Sequence, residues 1–395
     1  MLQSEALEPV LVGRTEAGRH RAGSAFSSLD RDPSQYLVRI EDGGFDIFYM
    51  TYGEKSLYTR FFADFLRAQD PDVVHLQHSL FVGCELVSLI RRLLPSTPIV
   101  YTLHDYMPIC NRDGRLVRTD ESLCLEASPR RCHECFVESS EQDFFLRKRF
   151  IRAHLDQVDL FLAPSHFLLE RYVDWGISRE QIRFEECGRP PALPVAEGRG
   201  ESPRNRPPDR LGFFGETSEF DFEGTEILLN AMRMVRDRAP AAHLWLHGAN
   251  ERREQSSTLL QDAGNVSFVG SWDRAGLPEM MSNVDWVVVP SRWWEGSPLV
   301  IQDAFLYGRP VICGDVGAMA EKVAHEVNGL HFTVKDPGSL ADTICRAVTT
   351  PGLWDELRTG IPPVYGMDDH VASLTGIHRE LLDRTGRAKA PAPVS

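Results

Sequence analysis

Short apolar runs alternate with amphipathic stretches along most of the chain. Residues 99–103 and 159–163 are apolar runs of strand length in the N-terminal half, and residues 73–78 predict a buried strand that ends in polar residues. Stretches such as residues 57–67 lie between them and carry apolar side chains at helical spacing. Strand, helix and strand in this order predict parallel sheets covered by helices. We therefore expect a fold of the α/β class.

The alternation resumes after residue 210 and is clearest from residue 284 to residue 317. Residues 284–290 form a β-branched apolar run, and residues 291–297 form a polar turn with two tryptophans. Pro298 suits the first turn of a helix, because its missing N–H would have no partner there. That helix should stop near Gly308, and residues 310–313 give a second strand. The stretch predicts one βαβ unit of a parallel sheet.

A chain of 395 residues is long enough for two domains with substantial cores. Residues 191–209 are rich in Pro, Gly, Arg and Glu and lack apolar periodicity, which is typical of a linker between domains. We therefore expect one domain over residues 1–190 and another over residues 210–365. A C-terminal helix and tail occupy residues 366–395.

Two acids in the 284–317 stretch are the candidate chemistry. Glu295 lies in the loop before the predicted helix, and Asp303 follows eight residues later inside it. Such acids can hold hydroxyl groups of a ligand at the strand ends, where open parallel sheets bind their ligands. The backbone N–H groups of Ser297, Leu299 and Val300, with the positive end of the helix, suit a phosphate. The alternative is an ordinary surface loop with two solvated acids.

The pattern of Glu295, seven residues and Asp303 resembles the donor-binding motif of retaining nucleotide-sugar glycosyltransferases of family four. Pro290-Ser291 before the motif and residues 308–312 after it agree with the resemblance, which extends from about residue 70 to the C-terminus. The family has Glu at both acidic positions, so the second acid here is one methylene shorter. The resemblance implies the GT-B architecture, in which two Rossmann-like parallel-sheet domains face a cleft. It also implies that the first domain is the acceptor side and that the last helix crosses back to it.

The resemblance further implies a retaining, metal-independent transfer, of the hexosyltransferase type, from a nucleotide-diphosphate sugar. Asp303 would take the ribose hydroxyls and Glu295 a hydroxyl of the donor sugar. Amides after Ser297 and around Gly317 would hold the diphosphate. His104 follows a predicted strand, and the matching family histidine lines the reaction centre; a capping His-Asp pair is the alternative. The resemblance does not determine the class of the acceptor: a glycan, a natural product, a lipid-linked molecule and a protein all remain open.

The second domain departs from the family at its first turn. The family carries an Arg just after the glycine and a Lys further on, and both neutralise the donor diphosphate. Here Gly215 is followed by Glu216, and Glu223 stands at the Lys position. Four other cations are candidates to replace them: Arg292, Arg309, Lys322 and Arg189. A degenerate, non-catalytic binding partner or scaffold is therefore the main alternative to a transferase, and an enzyme that isomerises or cleaves a nucleotide sugar is a third reading.

The first 50 residues fit the family least well. Family members begin with a strand that runs into a glycine-rich loop, and residues 1–50 contain only short apolar patches without such a loop. An irregular first βα unit, a start downstream of the natural one and a floppy extension all remain open.

An insert over about residues 106–140 carries four cysteines with the spacing C-x13-C-x7-C-x2-C. The C-x2-C pair is typical of a metal knuckle, and zinc would fix a long loop that has little secondary structure. Free thiols or a redox pair are the alternatives. No catalytic metal is expected, because no open site with histidines is visible. The candidate ligands are Cys110, Cys124, Cys132 and Cys135.

The formal net charge of −14 argues against a general nucleic-acid binder. The sequence contains no run of about 18 apolar residues, so no membrane span is predicted. The first residues lack the basic and apolar regions of a secretory signal, so a cytoplasmic location is expected. Residues 141–155 form a predicted helix with four basic side chains, which can meet an anionic acceptor or a lipid phosphate. Peripheral membrane contact therefore stays open, although a solvated basic face is the favoured interpretation. These basic residues are Arg147, Lys148, Arg149 and Arg152.

Overall fold

The computed structural model divides into two compact units. The described residues of the first unit lie before residue 165 and in ranges 169–185 and 371–386. Those of the second lie in ranges 165–168 and 186–370. The structure describes residues 7–15, 25–29, 32, 34–40, 44–194, 206–215, 224–248, 264–270 and 273–386.

The N-terminal part of the first unit contains short paired strands. Strands β1 (Leu11–Thr15), β2 (Phe26–Ser28) and β3 (Gln35–Arg39) form a sheet in the order β1-β3-β2. Strand β1 runs parallel to β3, whereas β2 runs antiparallel to it. Strands β4 (Phe45–Asp46) and β5 (Thr51–Tyr52) form a small antiparallel pair. The described residues of this region are therefore not the floppy extension that the sequence left open.

The main sheet of the first unit has four parallel strands in the order β6-β7-β8-β9. All four residues of β8 are buried, and this explains why the strand reads as an uninterrupted apolar run. The strands are β6 (Val74–Leu76), β7 (Ile99–Thr102), β8 (Leu160–Ala163) and β9 (Ile182–Phe184).

Helices follow these strands as the apolar spacing predicts. A π-helical turn at Leu57–Phe62 leads into the first helix, and a 3-10 turn lies at Arg179–Gln181. The side chain of Ser140 and that of Asp143 cap the start of α4 reciprocally, which fixes where the helix begins. The helices are α1 (Ala63–Gln69), α2 (Glu85–Leu93), α3 (Pro129–Cys135), α4 (Glu141–Leu155) and α5 (His166–Trp175).

The second unit contains a six-stranded parallel sheet in the order β12-β11-β10-β13-β14-β15. The order reverses between β10 and β13, and this reversal is the position at which doubly wound sheets open a crevice. The strands are β10 (Arg210–Phe214), β11 (His243–His247), β12 (Val266–Gly270), β13 (Trp286–Val289), β14 (Val311–Gly314) and β15 (Gly329–Phe332).

Helices cover both faces of this sheet. Successive residues of β13 point to opposite cores: Trp286 packs with α6, α10 and α11, and Val287 packs with α7, α8 and α9. The predicted α/β fold is therefore confirmed. The helices are α6 (Thr225–Arg238), α7 (Leu277–Asn283), α8 (Leu299–Leu306), α9 (Gly317–Lys322), α10 (Pro337–Thr349), α11 (Leu353–Thr359) and α12 (Met367–Thr385).

From Val371 onward, α12 belongs to the first unit. Leu381 of this segment packs against Val100, Leu160 and Leu162 of the four-stranded sheet. The domain limits drawn from the sequence stay predictions. Among the described helices, none is both long enough and apolar enough to cross a membrane.

Candidate functional site

A cavity of about 220 Å³ lies at the C-terminal ends of β10 and β13, where the strand order of the second unit reverses. Ligands of open parallel sheets bind at this edge. The lining combines the two strand ends, the loop at residues 291–297 and the start of α8. Four of the residues that the sequence singled out are among those that line it: Glu295, Ser297, Leu299 and Val300.

Local sequence explains why the loop and helix take this arrangement. Pro298 immediately precedes α8 with φ −68°. Its nitrogen carries no N–H, so no hydrogen-bond acceptor is needed there. The first turn of a helix leaves its amide N–H groups without intrahelical acceptors. The Oγ atom of Ser297 is buried and has no hydrogen-bond partner within the described part of the chain. Amides and a hydroxyl at a helix N-terminus are the donors that an anionic group needs.

Glu295 is half-buried in this cavity, and its Oε1 atom accepts a hydrogen bond of 2.7 Å from the Ser291 hydroxyl. Burial raises the pKa of Glu295 to about 7, although hydrogen bonds from the side chains of Ser291 and Trp293 oppose the shift. Both protonation states are therefore present near neutral pH. The protonated form can donate a hydrogen bond as well as accept one.

Asp303 is 4% exposed and is engaged by an arginine of its own unit. The Nη2 atom of Arg189 lies 2.5 Å from both carboxylate oxygens, and its Nε atom lies 2.9 Å from Oδ1. Arg274 approaches the same oxygen at 3.9 Å. The sequence does not reveal this pair, although an acid on the inner face of a helix needs a buried partner. The predicted ribose contact of Asp303 stays a prediction.

Gly317 lies against the loop that carries Glu295. Trp294 of that loop is buried and stacks on Phe167, with 4.7 Å between ring centroids. Gly317 has φ +56°, and a Cβ atom there would lie 3.1 Å from the Trp294 ring. A glycine therefore lets the turn before α9 approach the loop closely. Its predicted diphosphate contact stays a prediction.

The first turn of the second unit is described only in part. The N–H of Gly215 donates to the carbonyl of His247 at 3.0 Å, and Gly215 is not among the residues that line the cavity. Glu216 and Glu223, the two acids that depart from the family pattern, lie outside the described residues.

Most of the cations proposed to replace the family's Arg and Lys have other partners. Lys322 pairs with Glu186, and the Nε atom of Arg309 donates to the carbonyl of Met281 at 2.8 Å. Arg189 holds Asp303, as described above. Arg292 is half-buried in the loop itself.

In the first unit, two histidines follow neighbouring strands. The Nε2 atom of His78 lies 2.5 Å from Oδ2 of Asp105, and the N–H of Leu80 donates to Nδ1 of His78 at 2.7 Å. The proton of His78 is therefore on Nε2. His104 lies 3.0 Å from the side-chain oxygen of Gln77. Partial desolvation, together with the neighbouring His78, lowers the pKa of His104.

A buried arginine fixes the segment after His104. The guanidinium of Arg147 donates to the carbonyls of Met107 and Pro108, each at 2.7 Å, and the side chain is 3% exposed. The Tyr172 hydroxyl donates to the carbonyl of Asp105 at 2.9 Å. The sequence placed Arg147 on a solvated face, and this interpretation was wrong. Its spacing from the buried Phe144 and Ile151 could have indicated an inward position.

The four cysteines of the insert are half-buried. Burial raises the pKa of Cys110 and Cys124 and raises that of Cys132 to about 12. Within the described residues, no three His, Cys, Asp or Glu side chains converge closely enough to hold a metal ion. The predicted structural zinc site at Cys110, Cys124, Cys132 and Cys135 is therefore not supported.

Comparisons with known proteins connect both halves of the chain to one group of enzymes. Residues 18–189 match the model of Glycosyltransferase Family 4, and residues 208–350 match that of Glycosyl transferases group 1. An uncharacterized glycosyltransferase of Methanocaldococcus jannaschii is 26% identical over 42% of this chain and 44% of its own length. The D-inositol 3-phosphate glycosyltransferase of Jonesia denitrificans is 31% identical over 35% of each chain. The chain thus matches less than half the length of these two relatives.

Two solved structures share the fold over most of the chain. Sucrose-phosphate synthase from Thermosynechococcus elongatus superposes with a TM-score of 0.64 and 20% identity, covering 94% of this chain and 89% of the other. HepE from Anabaena, solved with UDP and glucose, superposes with a TM-score of 0.56 and 18% identity over 89% and 86%. These two structures show that the chain has the GT-B fold. The two family models, matched in the two halves of the chain, place it with glycosyltransferases of the family-four type.

Proposed function

We propose that this protein transfers a sugar from a nucleotide-diphosphate sugar to an acceptor, with retention of anomeric configuration and without a metal ion. The cavity at the reversal point of the six-stranded sheet is the observation that carries the proposal. Its lining places a half-buried carboxyl group, Glu295, beside the start of α8. The HepE structure in complex with UDP and glucose supports a nucleotide-diphosphate sugar as the donor.

The donor diphosphate binds the first amides of α8 and the buried hydroxyl of Ser297. Glu295 binds a hydroxyl of the donor sugar, and its raised pKa lets it donate or accept that hydrogen bond. A carboxylate offers about four lone-pair sites, so Asp303 accepts ribose hydroxyls while Arg189 holds it.

No nucleophile and base pair is needed for this reaction. The leaving phosphate oxygen takes the proton of the acceptor hydroxyl on the same face of the sugar, as the family resemblance implies. The family resemblance gives His104 a role at the reaction centre, and desolvation lowers the pKa of its ring. The acceptor belongs to one of four classes: a glycan, a natural product, a lipid-linked molecule or a protein.

Titration calorimetry with UDP, GDP, ADP and their sugar conjugates tests the donor. We expect at least one nucleotide to bind, and Glu295→Ala to lower transfer by about 100-fold or more while the protein stays folded. Glu356→Ala removes an exposed acid from α11 of the same unit and serves as the matched control. If no nucleotide binds, or if Glu295→Ala transfers sugar as the unaltered protein does, the proposal is wrong.

One observation favours a non-catalytic scaffold instead. Arg189 already neutralises Asp303, and Arg309 and Lys322 have other partners. Measuring donor turnover distinguishes a transferase from a scaffold, because a scaffold binds at most the nucleotide and releases no sugar. Product analysis without an acceptor separates transfer from isomerisation or cleavage of the donor.

A further inference from the structure

The first unit contains a groove that the proposed reaction does not use. It has a volume of about 600 Å³ and lies between residues 118–126 and helix α3. Its lining is mostly polar and includes five charged side chains. These are Arg118, Arg130, Arg131, Glu126 and Glu134.

Hydrogen bonds hold the loop wall of this groove in place. The Nη1 atom of Arg112 donates to the carbonyl of Val117 at 3.2 Å and also to that of Arg118. Its Nη2 atom pairs with Glu121 at 2.8 Å. The N–H of Cys124 donates to the carbonyl of Leu116 at 2.7 Å. The loop wall is therefore fixed by hydrogen bonds within the chain.

The charges of the groove leave a positive excess. Arg118 reaches from the loop wall to Glu134 on α3, with 2.7 Å between Nη2 and Oε2. Arg130 lies 3.9 Å from the same carboxylate, and its side chain is 82% exposed. Arg131 is exposed and forms no ion pair within 4 Å in the described part of the chain. Because Arg118 already neutralises Glu134, two guanidinium groups face one remaining acid, Glu126.

This chemistry fits a sugar that carries an acidic group. Guanidinium groups bind carboxylates and phosphates through paired hydrogen bonds. Carboxylates such as that of Glu126 accept hydrogen bonds from hydroxyls. The volume lies in the range of sites for ligands of drug size and exceeds the need of a single inorganic ion. We propose that the groove binds an acidic oligosaccharide segment. The further assignment of this segment to the acceptor rests on the proposed function.

Binding of three trisaccharide probes to the full chain tests the groove. The probes are trigalacturonate, a phosphorylated maltotriose and neutral maltotriose, so that carboxylate and phosphate sources are separated. We expect one acidic probe to bind at least about tenfold more tightly than maltotriose, with the difference shrinking as salt rises. Arg130→Gln with Arg131→Gln should weaken that binding about 30-fold. Arg92→Gln with Arg179→Gln removes two exposed arginines elsewhere in the same unit and should leave it unchanged.

The same titrations include UDP and GDP, so that the two proposals can fail separately. Equal binding of acidic and neutral probes would overturn the groove proposal, and so would an equal loss of binding in both double variants. In either case, nucleotide binding would still support the donor site. Acidic-probe binding that depends on Arg130 and Arg131 supports the groove even if no nucleotide binds. The groove variants should leave nucleotide affinity unchanged.

Discussion

Arg189 holds both carboxylate oxygens of Asp303, with Nη2 at 2.5 Å from each. The arginine is also fixed through its backbone, because its N–H donates to Tyr365 and its carbonyl accepts from Met367. Asp303 lies on α8, the helix whose first residues line the cavity. The pair therefore ties the start of the second unit to the helix that we assign to the donor.

Removing Arg189 should destabilise the protein strongly. Arg189→Met removes every hydrogen bond that Arg189 makes to the buried carboxylate of Asp303 and leaves Arg274, 3.9 Å away, as its nearest cation, and such a loss costs about 3–5 kcal/mol. The double variant Arg189→Met with Asp303→Leu removes both charges and should recover most of the stability. Urea unfolding followed by tryptophan fluorescence measures both. A single variant as stable as the unaltered protein would show that the pair is not formed in solution.

Glu295 should make stability depend on pH. Its folded pKa of about 7 lies above the ordinary value of 4.5, so its contribution to stability is full below pH 4.5 and is lost as pH rises through 7. Glu295→Gln removes the cost of ionising a buried carboxyl. The variant should gain about 2–3 kcal/mol over the unaltered protein between pH 4.5 and pH 8. Urea unfolding at several pH values checks this, and a difference that stays constant with pH contradicts it.

The second unit could be predicted in outline because its signals are local. Apolar runs of strand length alternate with helical spacing, and parallel strands bring their C-terminal ends to one edge. The helix predicted from Pro298 to near Gly308 is observed at Leu299–Leu306. The cavity followed from the same reasoning, since the loop after β13 has to lie at that edge.

Contacts between distant residues could not be predicted. Arg189 and Asp303 are 114 residues apart, and periodicity shows that a face is buried without naming its partner. Arg147 illustrates the same limit, because its basic character outweighed its inward spacing. The C-x2-C pair suggested zinc, yet the spacing of two cysteines does not determine where the other two lie. The short strands near the N-terminus have too few residues for a clear periodic signal.

Arg147 should be a stabilising residue, whereas its neighbour Arg149 should not. Arg147→Met removes hydrogen bonds from a charged donor to two carbonyls and leaves those carbonyls buried, at a cost of about 3 kcal/mol. Arg149→Met, on the exposed face of the same helix, should change stability by less than about 0.5 kcal/mol. Thermal unfolding of both variants measures the difference. Equal stability of the two variants would place Arg147 at the surface, as the basic pattern of its helix suggested.

Comparing substitutions at Gly224 and Gly352 separates the effect of packing behind the cavity from the effect of backbone strain. Both precede helices with positive φ, +82° and +78°. A Cβ atom at Gly224 would lie 2.0 Å from the carbonyl oxygen of Pro290, the residue that leads into the Glu295 loop, whereas one at Gly352 meets nothing within 4 Å. Gly352→Ala should therefore carry only the cost of its backbone conformation, about 1–2 kcal/mol.

Gly224→Ala should carry that cost and also displace Pro290. We expect an additional loss of about 1–3 kcal/mol and a nucleotide affinity about tenfold lower, because the loop moves with the strand end. Gly352→Ala should leave nucleotide affinity unchanged, since no described atom lies near its Cβ position. Unfolding in urea and nucleotide titration of both variants measure the two effects. Equal nucleotide affinities in the two variants would mean that the position of Pro290 does not shape the donor cavity.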